Sequence, residues 1–271
     1  MTDLAALVRR FQGVAVAVFG DPIIDYYHFG RATRLCPEAP VPVFVEDRLE
    51  LRDGGAQNVT ANLRALGMEV HTLYPPPPWT LKHRYLAGTQ QLLRVDRDRD
   101  HFKSEAPVDL RVFDRVAALI VSDYAKGWVS QDRCRQVCGA AKGIPIVVDP
   151  KGHCWTKYPV GAVICPNQVE YQQIPHASTR PFSPLVEKRG PAGLRLHYEP
   201  ELWVDYPSKA RAVFDVTGAG DTVTAIIGAT LAVQGTIEEA CELANIAAGL
   251  VVAQVGTTPC SSEMLLAELG A

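Results

Sequence analysis

Short apolar runs ending in polar turns alternate with helical periodicities along most of this chain. Val14 to Phe19 is such a run, closing on Gly20-Asp21, and it predicts a buried parallel strand with a functional turn at its carboxyl end. Leu119 to Ser122, Ile146 to Asp149 and Ala162 to Cys165 repeat the form, followed by Asp123, Pro150-Lys151 and Pro166-Asn167. A helix near Gln131 to Ala141 falls between the first two of these. Val70 to Tyr74 predicts a further strand, cut off by the extended spacer Pro75 to Pro78. Pro42 to Leu51 alternates and is charged at its end, which suits an exposed antiparallel strand. Gly54-Gly55 precedes a helix from about Asn58 to Leu66, stopped by Gly67. Two strongly periodic helices, Gly220 to Val233 and Ile237 to Gln254, fill the last quarter. This pattern predicts an α/β fold: a mostly parallel sheet covered on both faces, with ligands at the strands' carboxyl ends.

With 271 residues and 47% hydrophobic content the chain can build one substantial core. A net charge of −3 gives no electrostatic case for nucleic acid or an anionic membrane. No apolar run approaches membrane-spanning length. The seven cysteines lack paired spacing and suit reduced thiols in a cytoplasmic protein.

The candidate chemistry concentrates in Asp215-Val216-Thr217-Gly218-Ala219-Gly220-Asp221-Thr222. Val223, Ile226, Ile227 and Leu231 recur at helical spacing, so Gly218, Ala219 and Gly220 lie at a helix N-terminus. The unpaired N–H groups and positive dipole end there suit an anion, and glycine admits close approach. Asp221 follows within the first turn. A carboxylate beside an anion cradle suits phosphoryl transfer, the carboxylate taking the acceptor's proton. Taken alone, Gly218-Ala219-Gly220-Asp221 reads sooner as a glycine-softened loop with a solvated Asp221. Asn167 and Glu170 stand three residues apart and face one side of a turn, as a Mg²⁺ and phosphate site or simply as a capping box.

The eight residues from Asp215 together resemble the C-terminal signature of the PfkB/ribokinase carbohydrate kinases, in which this Asp is the catalytic base. The resemblance implies a ribokinase-like sandwich with a small β-lid over roughly residues 29–52, the whole chain forming one kinase domain. It places ATP and Mg²⁺ by Asn167, Glu170 (the metal contact), Thr217, Asn245 and Gly218 to Gly220. It places the acceptor under the lid by Asp25, Gly54, Gly55 and Asn58. Asn245 reads equally as an exposed helix polar; the alternative readings of Asp25 as a turn residue and of the paired glycines as a linker weigh less beside the ordered motifs. Relatives cover their exposed lid strands by pairing them, which predicts a homodimer.

More specific segments resemble the D-glycero-D-manno-heptose 7-phosphate kinases: Arg34 to Val43, Gln90 to Asp96, Ser122 to Gly127, Asp149 to Gly152 and Gly256-Thr257. They imply ATP-dependent phosphorylation of the anomeric hydroxyl of a sugar phosphate, and Lys151 and then Arg34 are the candidate cations for its far end. Either can instead form an ordinary surface ion pair. A kinase for another acceptor, or a non-catalytic binding protein, would retain most of these motifs. The chain departs from the family at Pro75 to Pro78 and Ile174 to Pro184, both shortened. It departs also at Cys36, a Ser in relatives, and at Glu187, where a Thr of a T-x-G-x-x-G element is expected while Gly193 remains. An anionic Glu187 would repel phosphate unless it points away.

Overall fold

The structure is a computed structural model describing residues 3–102, 104–152, 155–173, 184–199, 201–254 and 258–271. The chain opens with α1 (Leu4–Arg9), β1 (Ala15–Gly20), and the long antiparallel pair β2 (Pro22–Leu35) and β3 (Pro42–Gly55). Next come α2 (Ala56–Ala65), β4 (Glu69–Leu73), and a second hairpin, β5 (Thr80–Ala87) and β6 (Gln90–Arg97). The middle holds β7 (Leu119–Ser122), α3 (Gln131–Ala140), β8 (Ile146–Asp149), β9 (Val163–Ile164) and α4 (Gln168–Gln172). It finishes with β10 (Leu185–Lys188), β11 (Leu194–Glu199), β12 (Leu202–Tyr206), α5 (Ala219–Ala232), α6 (Ile237–Val252) and α7 (Ser262–Glu268).

An eight-stranded sheet in the order β12-β11-β10-β9-β8-β7-β1-β4 carries the core. It is parallel from β4 to β10 and turns antiparallel only at β11 and β12. Because side chains alternate faces along a strand, its central strands must be apolar at every position to be buried twice. Val16, Val18, Ile120 and Val147 join one core with Val59 and Leu63 of α2, Ile226 and Ile227 of α5, and Leu243 of α6. Ala17, Phe19, Leu119, Val121 and Val148 face the other core, with Trp128, Val137 and Tyr158. The continuous apolar runs in the sequence therefore report burial on both faces.

A second sheet, β3-β2-β5-β6, stands beside the first. It spans 22–55 and 80–97, well beyond the 29–52 expected for a lid. The extra half comes from β5, which pairs parallel with β2, setting Lys82 opposite Asp25 and Arg84 opposite Tyr27. Pro75 to Pro78 forms the short connection that carries the chain from β4 into this sheet, with Trp79 Nε1 donating to the Pro75 carbonyl at 2.9 Å. Asp25, Tyr27, Lys82 and Arg84 share one face. The opposite face carries two cross-strand rows, Leu51-Tyr26-His83-Val95 and Leu49-His28-Tyr85-Leu93. Leu49, Leu51, Leu93 and Val95 are exposed there. No helix among the described residues is long and apolar enough to cross a membrane. Gly256-Thr257 and Ile174 to Ser183 lie outside the described residues.

Candidate active site

Gly218 is the N-cap of α5 and adopts a left-handed conformation, φ 82°, that a β-carbon would strain. Ala219, Gly220 and Asp221 form the first helical turn, so its unpaired N–H groups and Asp221 share one end of the helix. Gly218, Ala219, Gly220 and Asp221 line a cavity of about 370 Å³ above the carboxyl ends of the central strands. Its other walls include Asn167, Glu170, Lys151, Asp149, Lys188, Asn245 and the Gly190 to Gly193 turn.

Asp221 is only 6% exposed, and each of its oxygens has a neutral donor. Tyr124 Oη donates to Oδ1 at 2.7 Å, and Asn58 Nδ2 donates to Oδ2 at 2.8 Å. Burial raises the Asp221 pKa above the ordinary carboxylate value, opposed by these two hydrogen bonds and by the nearby Lys188 charge. A buried carboxylate with raised proton affinity and fixed orientation is equipped to accept a proton. Asn58 thus touches Asp221 directly. Asn62, one turn on, ties α2 to the rest through Thr222 Oγ1 at 3.1 Å and the Cys260 N–H at 3.0 Å.

Two loops are held by buried carboxylates at the strand ends. Asp21 accepts the N–H groups of Tyr124, Lys126 and Trp128, fixing the turn that delivers Tyr124 to Asp221. Burial and the neighbouring Asp123 push the Asp21 pKa up to about 6. Asp123 in turn accepts from Tyr158 Oη at 2.7 Å and pairs with Lys157.

Asn167 and Glu170 form a reciprocal capping box on α4. The Asn167 side chain is used by the Glu170 N–H and Glu170 Oε2 by the Asn167 N–H, both at 2.9 Å. Glu170 Oε1 remains on the cavity side and is paired with Lys151 Nζ at 2.8 Å. The cap and the cavity wall are therefore the same residues. Lys151, which the sequence points toward the acceptor's far end, lies beside Glu170 instead. Arg34, the other candidate cation, is exposed near the tip of the β2–β3 hairpin, opposite Val43, and does not line the cavity.

Other expected contacts are also redistributed. The Thr217 N–H closes a local turn on Asp215 Oδ1 at 2.8 Å, and Val216 and Gly218 reach the cavity in its place. Asn245 is buried, not exposed, and its Nδ2 donates to the Pro207 carbonyl at 2.7 Å, holding the 207–210 loop against the cavity. A β-carbon on Gly54 would sit 2.2 Å from Asp25 Oδ2, so this glycine makes room for the carboxylate. Gly55 has φ +58° and caps α2. Asp25 is buried, and Arg84 Nη2 lies 3.0 Å from its Oδ1. Burial raises the Asp25 pKa, against the lowering charges of Arg84 and Lys82.

Glu187 needs a correction of register. Counting T-x-G-x-x-G back from Gly193 puts Gly190 at the first glycine and Lys188, not Glu187, at the Thr position. The strand alternation agrees: Lys188 lines the cavity with Gly190 and Gly193, whereas Glu187 is buried away from it with His197 Nε2 at 3.3 Å. Lys188 Nζ pairs with Asp149 Oδ1 at 2.7 Å. Burial lowers the Lys188 pKa, but the charge and hydrogen bond of Asp149 together with Cys165 and Glu170 make the net shift upward. Sequence reasoning also missed Tyr124, Asp149, Lys82 and Arg84 as site residues. For Tyr124 and Asp149 a signal existed, their place at polar strand ends; for Lys82 and Arg84 only the pairing of β5 with β2 supplies it.

An eight-stranded, mostly parallel sheet with a second, four-stranded sheet beside it is an α/β architecture that solved structures share. A ribokinase from Arabidopsis thaliana complexed with ribose and ATP superposes with a TM-score of 0.73 at 17% identity, covering 96% of this chain and 100% of that one. Ribokinase from Thermotoga maritima gives 0.69 at 15% identity, covering 95% of this chain and 100% of that one. The fold is ribokinase-like. Residues 164–264 match the model of the pfkB family carbohydrate kinases. It is 33% identical to the bifunctional protein HldE of Shewanella denitrificans, over 96% of this chain and 64% of that protein. The figure is again 33% for HldE of Geotalea uraniireducens, over 99% of this chain and 65% of that protein. The chain thus spans just under two thirds of the length of these relatives, 64% for the first.

Proposed function

We propose that this chain transfers the terminal phosphoryl group of ATP to the anomeric hydroxyl of a sugar phosphate, with Asp221 as the general base. The observation that carries this reading is the position of Asp221: first turn of α5, buried, both oxygens oriented by Tyr124 and Asn58, beside the Gly218 to Gly220 cradle. Asp221 takes the proton from the acceptor hydroxyl. The N–H groups of the first turn of α5 stabilise the charge of the transferring phosphoryl group. Because neither donor on Asp221 is charged, its orientation is fixed without cancelling its basicity.

The nucleotide lies along the cavity bounded by Asn167, Glu170, Gly190, Gly193 and Asn245. Among the described residues no cluster of three or more His, Cys, Asp or Glu side chains exists that alone would cage a metal. The buried Glu170 carboxylate is a hard oxygen donor facing the cavity, which fits a Mg²⁺ that arrives on a nucleotide and keeps most of its waters. Glu170 would hold that ion, whose bound form neutralises phosphate charge.

The acceptor lies between Asp221 and the inward face of the second sheet. Asp25 suits sugar hydroxyls, and Lys82 and Arg84 suit an acceptor that already carries a phosphate. Lys82 Nζ sits 5.7 Å from the Tyr124 ring centroid, and Arg84 Nη1 is buried without a hydrogen-bond partner among the described residues. These two cations replace Lys151 and Arg34 as receptors for the far phosphate. The segments resembling heptose 7-phosphate kinases favour a heptose phosphate. The outward face of the same sheet, with Leu49, Leu51, Leu93 and Val95 exposed, suits pairing with a second copy of the chain.

The test is ADP release from ATP·Mg²⁺ with a panel of sugar 7-, 6- and 1-phosphates and the corresponding free sugars. Release stimulated by a sugar phosphate supports the assignment. Stimulation only by an unphosphorylated acceptor would retain the kinase and remove the sugar-phosphate reading, and no stimulation by any carbohydrate would remove both.

A further inference from the structure

Lys188 is an ammonium built into the floor of the nucleotide cavity at a position where the T-x-G-x-x-G pattern carries a hydroxyl. Its backbone is pinned at the end of β10: its N–H donates to the Pro166 carbonyl at 2.7 Å, beside a bridge to Asn167. Its side chain is 11% exposed and runs under α5, so that a β-carbon on Gly220 would lie 3.5 Å from Nζ. Nζ therefore faces the same space as the N–H groups of the α5 first turn.

An ammonium has three N–H donors. Among the described residues the structure gives Nζ one acceptor, Asp149 Oδ1 at 2.7 Å. Asp149 is itself fixed from the α5 side by Thr224 Oγ1 at 3.3 Å. A buried ammonium with a single acceptor is poorly compensated as a purely structural pair, because desolvation leaves its remaining donors without partners. The open side of this ammonium is the cavity. Helix N-terminus, cation and glycine turn converge there on one volume suited to a polyanion.

We propose that Lys188 binds the phosphates of the nucleotide directly, opposite the α5 N-terminus, with Asp149 as the positioning residue that aims its ammonium. The inference rests on the reading of this cavity as the nucleotide site. The contact is specific for the β- and γ-phosphates and adds nothing to recognition of the nucleoside. Because the charge belongs to the protein, it acts without a metal ion.

The experiment is calorimetric titration of the full chain with AMP, ADP and ATP, in EDTA and then with Mg²⁺, for the wild type, Lys188→Met and Lys188→Arg. In EDTA the wild type is expected to bind ATP and ADP more tightly than AMP. Lys188→Met should weaken ATP by about 10- to 100-fold, the scale of a hydrogen bond to a charged group, and leave AMP unchanged. Lys188→Arg should recover part of the loss. A methionine variant that retains the wild-type preference for ATP over AMP overturns the proposal while leaving the nucleotide site intact. A wild type that binds none of the three nucleotides overturns the site itself. Should the methionine variant lose its cooperative melt, lysine footprinting of the wild type decides. ATP must then protect the Lys188 amine from acylation more strongly than AMP does, and equal protection overturns the proposal.

Discussion

Asp221, in the first turn of α5, and Asp25, on β2 of the second sheet, are both buried carboxylates close enough for Asp25 to act on the Asp221 pKa, yet they are compensated in opposite ways. Asp221 is held by a phenol and an amide, Asp25 by a guanidinium. Neutral donors orient a carboxylate while leaving its charge available. A guanidinium largely cancels that charge in place. Burial raises the pKa of both; the largest opposing causes are the Arg84 and Lys82 charges at Asp25, and at Asp221 the two neutral hydrogen bonds, ahead of the Lys188 charge. On the proposed function, neutral partners suit Asp221 to the role of base and a cationic partner suits Asp25 to binding.

Asp221→Asn tests the separation most severely. It should lower kcat by at least about 10²-fold with nucleotide affinity nearly unchanged, whereas Asp25→Asn should act mainly on the KM of the acceptor. Equal losses of kcat from the two would break the comparison. A smaller effect sharpens the second sheet's side. Lys82→Ala or Arg84→Ala should weaken a sugar phosphate by about 10- to 100-fold and hardly touch the free sugar. Lys151→Ala should raise the KM for ATP without distinguishing the two acceptors, and discrimination by Lys151→Ala instead would return the far phosphate to that residue.

Glu170→Gln should raise the Mg²⁺ concentration needed for half-maximal rate by more than it raises the acceptor KM. Equal changes in both would reduce Glu170 to its role in the α4 cap. The smallest effect is on pH dependence. With Asp221 as the proposed base, activity should be present above its folded-state pKa and lost as pH falls through it; burial puts that limb above the ordinary Asp value. Tyr124→Phe removes a hydrogen bond that lowers this pKa, so the acid limb of kcat should move to higher pH. A limb that stays in place or moves down would detach Tyr124 from the base.

Much of the main sheet was legible because its strands and helices are encoded locally. Val14 to Phe19 and Leu119 to Ser122 were readable as doubly buried strands, and α5 and α6 fall within a few residues of their periodic segments. β5 was not readable: Thr80 to Ala87 carries Lys82, His83 and Arg84 in succession, with neither an apolar run nor clean alternation to mark it. It is a strand because β2 pairs with it along eight residues. Lys188 was legible in the sequence, from a count of T-x-G-x-x-G back from Gly193.

The sequence by itself determined that a helix begins at Gly218 with Asp221 in its first turn, and that Asn167 and Glu170 cap one another. Helix starts and caps depend on residues three or four apart, and such contacts are written in spacing. Only the tertiary structure decided that Tyr124 and Asn58 would meet Asp221, that Asp149 would pair with Lys188, and that Arg84 would pair with Asp25. Each of those contacts joins segments far apart in the chain, 163 residues for Asn58 and Asp221. They are fixed by strand order and register, since parallel strands brought side by side deliver their carboxyl-end side chains to one edge whatever their separation in sequence.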